Sequence, residues 1–185
     1  MGSYNYMEKT FQSEYKNRDQ VLKSKLTEWR RESSILRIDK PSNIARARTL
    51  GYKDKQGVVV ARVRVKKGLR KVSKPHGGRK PSKYGRFFTR GKSLQSIAEE
   101  RAASKFSNCE VLNSYYVGED GTYKFFEVIL LDKSNPVIMA DKTFQQVISQ
   151  NKRVFRGLTS AGRKHRGLVR SKMHENSMPS VRANR

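Results

Sequence analysis

The sequence predicts an α+β fold, in which a small, mostly antiparallel sheet with packed helices carries long basic extensions. Apolar residues recur at helical spacing near the N-terminus and again after residue 93, whereas they alternate over residues 57–66. Two later apolar runs flank a Gly-containing turn and predict a β-hairpin. The resulting order of helix, strand, helix, hairpin and helix is typical of α+β proteins.

The first helix is predicted over residues 4–29, where apolar side chains recur at intervals of three, four and seven. The residues of this stripe are Tyr4, Met7, Phe11, Tyr15, Leu22, Leu26 and Trp29. We expect the helix to pack on the body of the protein, with these aromatic side chains in the core.

Residues 57–66 alternate as a β-strand does, so that successive side chains point to opposite faces. The positions expected in the core are Val59, Ala61, Val63 and Val65. The opposite positions, expected to form an exposed basic face, are Arg62, Arg64 and Lys66.

A second helix is predicted from Ser93, a favourable N-cap, to about Phe106. Its expected buried side consists of Leu94, Ile97, Ala98, Ala102 and Phe106. Glu99 and Glu100 are adjacent on this helix and point in different directions, which is poor geometry for an acid–base pair. We therefore expect both to be surface charges.

The hairpin is predicted from strands at Val111–Val117 and Tyr123–Leu131, joined by a turn at Gly118–Gly121. A further short helix is indicated by Phe144, Val147 and Ile148.

Charge is distributed unevenly along the 185 residues, which carry 41 Lys+Arg and 16 Asp+Glu for a formal net charge of +25. Residues 40–92 hold 18 bases and one acid, and residues 151–185 hold ten bases and one acid. The remaining two blocks are nearly neutral. A single run of charge is usually a solvated face, but two blocks so poor in acids do not fit that interpretation. The positive charges of these blocks repel each other unless a polyanion neutralises them. A nucleic acid is the first partner this predicts, and a membrane surface the second.

Residues 67–92 differ in kind from the rest, with ten bases, no acid, five glycines and two prolines. They contain too few apolar residues to fold alone, so we expect disorder in the free protein and penetration into a folded nucleic acid when bound. Flat side chains that can stack on unpaired bases are His76, Tyr84, Phe87 and Phe88. For Phe87 and Phe88, docking on the body is an equally good interpretation.

The second basic block contains small residues beside arginine and lysine over Gly157–Gly167. Small residues allow a backbone to approach phosphates closely, so we expect this segment to form a short turn or helix that contacts nucleic acid. Residues 171–185 are expected to form a disordered basic tail in the free protein.

Two segments resemble the two halves of a P-loop NTPase. They are Gly91-Lys92-Ser93, which precedes a predicted helix, and the apolar run Val128–Asp132, which ends in an acid. A phosphate-binding loop requires a glycine five residues before the second glycine, and that position is Arg86 here. No Gly-x-Ser-x-Gly sequence occurs either. We therefore expect no enzymatic activity.

The three histidines lie in basic segments, and with the lone Cys109 they show no metal-ligand spacing. No apolar run approaches the ~20 residues that span a bilayer, and the N-terminus has no signal-peptide pattern. A single cysteine cannot form an internal disulfide, which favours a reducing intracellular compartment.

Several segments together resemble the 15e family of large-subunit ribosomal proteins of archaea and eukaryotes. They occur in the order of that family and cover most of residues 45–168. The matching segments are ARTLGYK (47–53), GVVVARVRV (57–65), SLQSIAEERA (93–102), VLNSYYVGED (111–120), YKFFEV (123–128) and RGLTSAGR (156–163).

This resemblance implies a structural protein that binds and stabilises ribosomal RNA (rRNA) of the large subunit, beside neighbouring large-subunit proteins, in cytoplasmic ribosomes, with nucleolar assembly if the source is eukaryotic. It implies no membrane partner, no small-molecule substrate and no cofactor. Any structural Mg²⁺ would belong to the RNA. One domain is expected over residues 1–170, including the basic arm at 67–92, followed by the tail at 171–185. The alternative from another class is a DNA-compacting, chromatin-like protein.

The residues predicted to bind rRNA are the bases and flat side chains of the two basic blocks. They are Arg46, Arg48, Tyr52, Lys53, Lys55, Arg62, Arg64, Lys66, Lys67, Arg70, Lys71, Lys74, His76, Arg79, Lys80, Lys83, Tyr84, Arg86, Arg90, Lys92, Arg156, Arg163, Lys164 and Arg166.

Overall fold

The fold was analysed in a computed structural model, which describes residues 2–68, 77–78 and 92–166. Within these residues the elements are α1 (Ser3–Asn17), α2 (Gln20–Arg31), β1 (Ile35–Ile38), α3 (Ile44–Thr49), β2 (Val58–Lys66), α4 (Leu94–Lys105), β3 (Cys109–Glu119), β4 (Tyr123–Asp132), α5 (Pro136–Ala140), α6 (Lys142–Ile148) and α7 (Ser160–His165). The strands form one antiparallel sheet in the order β1-β2-β4-β3. The predicted α+β class is confirmed.

The N-terminal segment forms two helices, not the single helix predicted over residues 4–29. Arg18 ends α1 in the left-handed conformation (φ 50°), and α2 begins after Asp19. The turn separates the two halves of the apolar stripe, so only α2 places side chains in the core, namely Leu22 and Trp29. The prediction that the aromatic residues of α1 are core is wrong for Tyr4 and Tyr15, which are 42% and 36% exposed, whereas Phe11 is partly buried against the core cluster that contains Trp29. A hydrogen bond between the hydroxyls of Tyr15 and Tyr116 ties α1 to β3.

The sheet is covered on both faces. On one face Ala61, Val63 and Val65 pack with Ala98 and Ala102 of α4, as the alternation predicts. The other face contributes a second cluster, which includes Val60, Trp29, Phe125 and Ile129. The expected exposed basic face of β2 is wrong for Arg62 and Arg64, which are half-buried against Trp29 and Tyr123, whereas Lys66 is exposed as predicted.

Helix α4 and the hairpin lie where the sequence predicts them, and Ser93 caps α4 by accepting a hydrogen bond from the Ser96 N–H. The short helix around Phe144 is α6, and Phe144 packs with Leu131 and Ile138 in a third cluster. Three short elements had no recognised pattern: β1, α3 and α5. In the described part of the chain, no helix is long and apolar enough to cross a membrane.

Candidate nucleic-acid interface

A buried carboxylate holds the loop that precedes α3. Glu127, at the centre of β4, is fully buried and accepts hydrogen bonds from the backbone N–H of Ser42 (3.0 Å), the Ser42 hydroxyl and the Tyr115 hydroxyl. Burial raises the pKa of this carboxyl, and the hydrogen bonds from Ser42 and Tyr115 oppose the shift. These bonds tie the start of α3 to the middle of the sheet.

Helix α3 presents two of the predicted residues to solvent. It buries Ala45 and Ala47 while Arg46 and Arg48 are exposed. The Arg48 guanidinium lies over the ring of Tyr4, 5.2 Å from its centroid, and donates to the Tyr4 hydroxyl. The two arginines and Tyr4 form the α3 surface.

The residues that follow α3 have partners inside the molecule. Tyr52 is buried in the second core cluster, and burial raises the pKa of its hydroxyl. The Nζ atoms of Lys53 and Lys55 lie 2.9 and 3.0 Å from one carboxylate oxygen of Asp141. Hydrogen bonds from Lys53, Thr143 and Lys55 lower the pKa of Asp141. The single negative charge of Asp141 thus compensates half of the positive charge of Lys53 and Lys55.

Arg62 and Arg64 stack on aromatic rings of the protein itself. The Arg62 guanidinium lies 4.5 Å from the Trp29 ring centroid and donates to both carboxylate oxygens of Glu32, at 2.7 and 3.0 Å. Arg64 lies 4.8 Å from the Tyr123 centroid and donates to the Arg30 carbonyl. The alternation of β2 shows which face these arginines occupy, but not that α2 covers it.

Of the other predicted residues before α4, Lys66 is exposed, whereas Lys67 pairs with Glu119 (3.0 Å) and Lys92 pairs with Glu100. Ten predicted residues lie outside the described part of the chain: Arg70, Lys71, Lys74, His76, Arg79, Lys80, Lys83, Tyr84, Arg86 and Arg90. Phe87, Phe88 and residues 171–185 also lie outside it.

A second buried carboxylate anchors α7. Glu99 is fully buried and accepts hydrogen bonds from the Ser114 hydroxyl and from Thr159 Oγ1 (2.6 Å). Thr159 Oγ1 in turn accepts from the Gly162 N–H (3.1 Å) and so caps α7. Burial raises the pKa of Glu99 above its ordinary value. The prediction that Glu99 is a surface charge is wrong, because two hydroxyl donors allow the carboxyl group to be buried between α4, β3 and α7.

The glycines of this segment fit against each other. A Cβ atom at Gly162 would lie 2.8 Å from the Cα of Gly157, which has a φ of +66°. The interpretation that these glycines let the backbone approach phosphate is therefore corrected: Gly162 is needed for an approach within the protein. Arg166 folds back on the same turn and donates to the carbonyls of Arg156 and Gly157, at 3.0 and 3.1 Å.

The outward side of this segment carries the remaining predicted cations. Ala161 and Gly162 face the protein, while Arg156, Arg163 and Lys164 are exposed. We call these three residues the α7 surface.

Arg153 is a structural residue that the sequence analysis missed. Its Nη1 atom donates to the carbonyls of Val111 (2.6 Å) and Leu112 (3.0 Å), and the neighbouring Val154 is 5% exposed in the first core cluster. Nothing in the local sequence distinguishes Arg153 from the exposed Lys152 and Arg156, since all three are bases in one basic segment.

The acids of residues 93–150 are largely buried or paired, whereas Glu8, Glu28, Asp39 and Asp54 in the N-terminal part are exposed. Among the eight acids of residues 93–150, Glu99 and Glu127 are fully buried and Asp132 accepts a hydrogen bond from the Ser134 N–H. The other five pair with cations of the chain: Glu100, Glu110, Glu119, Asp120 and Asp141. Over the described residues, no such ion pair involves the α3 surface or the α7 surface, and no group of His, Cys, Asp and Glu that could hold a metal is present.

An α+β body with exposed, unpaired cations on its α3 and α7 surfaces is typical of basic proteins that bind a polyanion. Comparison with known proteins gives the family. The profile of the family described as Ribosomal L15 matches residues 2–184. A protein of Metallosphaera sedula described as large ribosomal subunit protein eL15 is 51% identical over 173 residues, which are 92% of this chain and 80% of that protein.

The chain therefore belongs to the Ribosomal L15 family, and the predicted resemblance to the 15e family is confirmed. It is a structural constituent of the large ribosomal subunit, located in ribosomes, and not an enzyme. The alternative of a DNA-compacting, chromatin-like protein has no support in these matches.

Proposed function

We propose that the protein binds large-subunit rRNA through two exposed basic surfaces on one rigid body, the α3 surface and the α7 surface. The observation that carries the proposal is the separation of charge described above. Over residues 93–150 the acids are buried, paired with cations or hydrogen-bonded, while the cations of these two surfaces are exposed and form no ion pair with an acid. Arginine suits this role because its planar guanidinium donates to phosphate oxygens in pairs and also stacks on bases.

In this proposal the body positions the chain and the basic arm of residues 67–92 adds further phosphate contacts. Residues 1–170 act as one domain and residues 171–185 as a basic tail. Neighbouring large-subunit proteins pack beside it in cytoplasmic ribosomes, with nucleolar assembly if the source is eukaryotic. The protein carries no cofactor of its own, and structural Mg²⁺ belongs to the RNA.

The salt dependence of binding tests this proposal. If about ten phosphates are neutralised, the affinity of the full chain for large-subunit rRNA should fall ~10⁵-fold between 50 and 200 mM salt. A slope of log affinity against log salt shallower than about −3 would contradict the proposal.

A matched pair of variants tests the two surfaces. Changing Arg46, Arg48, Arg163 and Lys164 to Gln should flatten the slope by up to about four units. The control removes four exposed cations from the N-terminal helices α1 and α2: Lys16, Lys23, Lys25 and Arg31. It should retain most of the slope and enter gradient-purified large subunits normally. Equal losses in both variants would show that only net charge matters.

A further inference from the structure

Phe155 is an exposed aromatic side chain on a turn whose other apolar residue is buried. Its side chain is 50% exposed, whereas the preceding Val154 is 5% exposed. The turn is held firmly: the Phe155 N–H donates to the Lys152 carbonyl (3.1 Å), and Arg153 is fixed to β3 as described above. The Lys152 N–H donates to Glu110 at 2.8 Å. The ring is therefore displayed outward by a rigid backbone.

The ring separates two open clefts of about 530 and 660 Å³, which share Ser104 and Phe155 as lining residues. Both volumes fall within the ~300–1,000 Å³ typical of pockets for small ligands. A flat ligand placed in either cleft would meet the Phe155 ring.

The rim of these clefts is basic. Arg101 and Lys105 line one cleft, and Lys133 and Lys152 line the other. The two acids of the lining are Glu100, which pairs with Lys92, and Glu110, which is 4% exposed and pairs with Lys133. Because Lys133 is already paired with Glu110, the cations left beside the ring are Arg101, Lys105 and Lys152. An aromatic ring beside these cations complements a flat ligand that carries negative charge.

We propose that Phe155 stacks on an unpaired base of the rRNA, with the base in one of these clefts and its flanking phosphates near Lys152 and Arg156. The proposal rests on the proposed rRNA binding and deepens it, since it assigns recognition of an extruded nucleotide in addition to phosphate contacts. Proteins recognise RNA loops and bulges in this way, by stacking aromatic side chains on splayed-out bases.

The test compares two RNA probes that carry equal numbers of phosphates, a single-stranded oligoadenylate and a fully paired duplex. The full chain is compared with Phe155→Leu, which keeps an apolar side chain but removes the ring, and with Phe155→Trp, which keeps a ring. Tyr6→Leu is the matched control, because Tyr6 is a 60% exposed aromatic residue on the nearly neutral α1.

Phe155→Leu should weaken oligoadenylate binding by roughly 5- to 150-fold at fixed salt. The salt slope and the duplex affinity should not change, because no phosphate contact is lost. Phe155→Trp and Tyr6→Leu should bind both probes like the unaltered chain.

Three results would overturn the inference. Unchanged oligoadenylate binding by Phe155→Leu, with impaired entry of that variant into large subunits, would assign the ring to an apolar contact with a neighbouring protein. Unchanged binding with normal entry would leave the ring without this role, and equal weakening of both probes would exclude base stacking. A shallow salt slope of the unaltered chain would instead contradict the proposed rRNA binding itself, so the two failures are distinguishable.

Discussion

The arginines of β2 and the cations of α7 are equally basic in sequence but differ in what surrounds them. Arg62 lies on a strand with a partner strand on each side and α2 above it, where Trp29 and Glu32 enclose its guanidinium. Arg163 lies on a short helix that buries Ala161 and Gly162 against the protein and leaves Arg163 itself exposed. The position of a cation in the fold therefore decides whether it stabilises the body or is available to RNA.

This contrast has an energetic basis. The side chain of Arg62 is 11% exposed, so its ion pair with Glu32 is less screened than a surface pair. Arg62 also lies opposite Glu127 in the register of β2 and β4, and its charge opposes the rise in the pKa of that buried carboxyl. Comparable support is not needed by Arg163, which is exposed to water.

The largest effect is expected for Arg62→Gln. The variant removes the charged Nη2 group that donates to both carboxylate oxygens of Glu32, and it removes the cation over Trp29. The free energy of unfolding should fall by roughly 2 kcal/mol, between the ~3–5 kcal/mol of a broken buried pair and the ~0–1 kcal/mol of a surface pair. Urea unfolding at neutral pH measures this, with Arg163→Gln as the control. Equal stabilities of the two variants would remove the distinction between β2 and α7.

Thr159→Val tests the link between Glu99 and α7. Valine keeps the shape of the side chain but neither donates to Glu99 nor caps Gly162, so the unfolding free energy should fall by about 1–3 kcal/mol. Thr159→Ser keeps the hydroxyl and should retain most of the stability. RNA affinity should also fall in the valine variant, because α7 carries Arg163 and Lys164. Full RNA affinity together with reduced stability would show that α7 need not be fixed in order to bind.

Gly162→Ala tests the close approach of α7 to the Gly157 turn. The added methyl would meet the Gly157 backbone at 2.8 Å, and relieving this overlap should cost on the order of 1–3 kcal/mol. Gly121→Ala is the matched control, since a Cβ there has no neighbour within 4 Å, and it should change stability by less than about 0.5 kcal/mol. Thermal unfolding of both variants measures the difference, and equal melting temperatures would contradict the packing of Gly162.

Asp141→Asn tests the lysines whose charge is compensated inside the molecule. Asparagine still caps α6, so the variant removes mainly the charge. Because the pKa of Asp141 is lowered in the folded protein, its stabilising effect is complete above the unfolded pKa of about 4 and is lost as the pH falls through the folded pKa. Asp141→Asn should therefore be less stable than the unaltered protein at neutral pH, and the difference should shrink in acid. Urea unfolding of both proteins at several pH values measures this difference in unfolding free energy. If the difference does not change with pH, the ion pair is not its cause.

The smallest effect on stability is expected when Arg163 and Lys164 are both changed to Gln. Both are exposed, so the unfolding free energy should stay within about 0.5 kcal/mol. The slope of log RNA affinity against log salt should nevertheless flatten by about two units, one for each lost phosphate contact. An unchanged slope would show that α7 does not touch phosphate.

Patterns within one element predicted much of this protein from sequence. Alternation placed Ala61, Val63 and Val65 in the core, and the Ser93 cap placed the start of α4, because strand and helix periodicities follow from backbone geometry alone. The order of such elements and the family motifs were sufficient for the α+β class and for the ribosomal family. The uneven charge likewise predicted a polyanionic partner.

Contacts between distant elements decided what the sequence did not reveal. Glu99 was expected at the surface because its donors Ser114 and Thr159 are far away in the chain, and Arg62 was expected in solvent because Trp29 lies thirty-three positions earlier. A base or an acid has the same intrinsic charge wherever it stands, but burial, a partner and an overlying ring set what that charge does. Only the tertiary structure therefore separated the cations that hold the body together from those on the α3 and α7 surfaces that face outward.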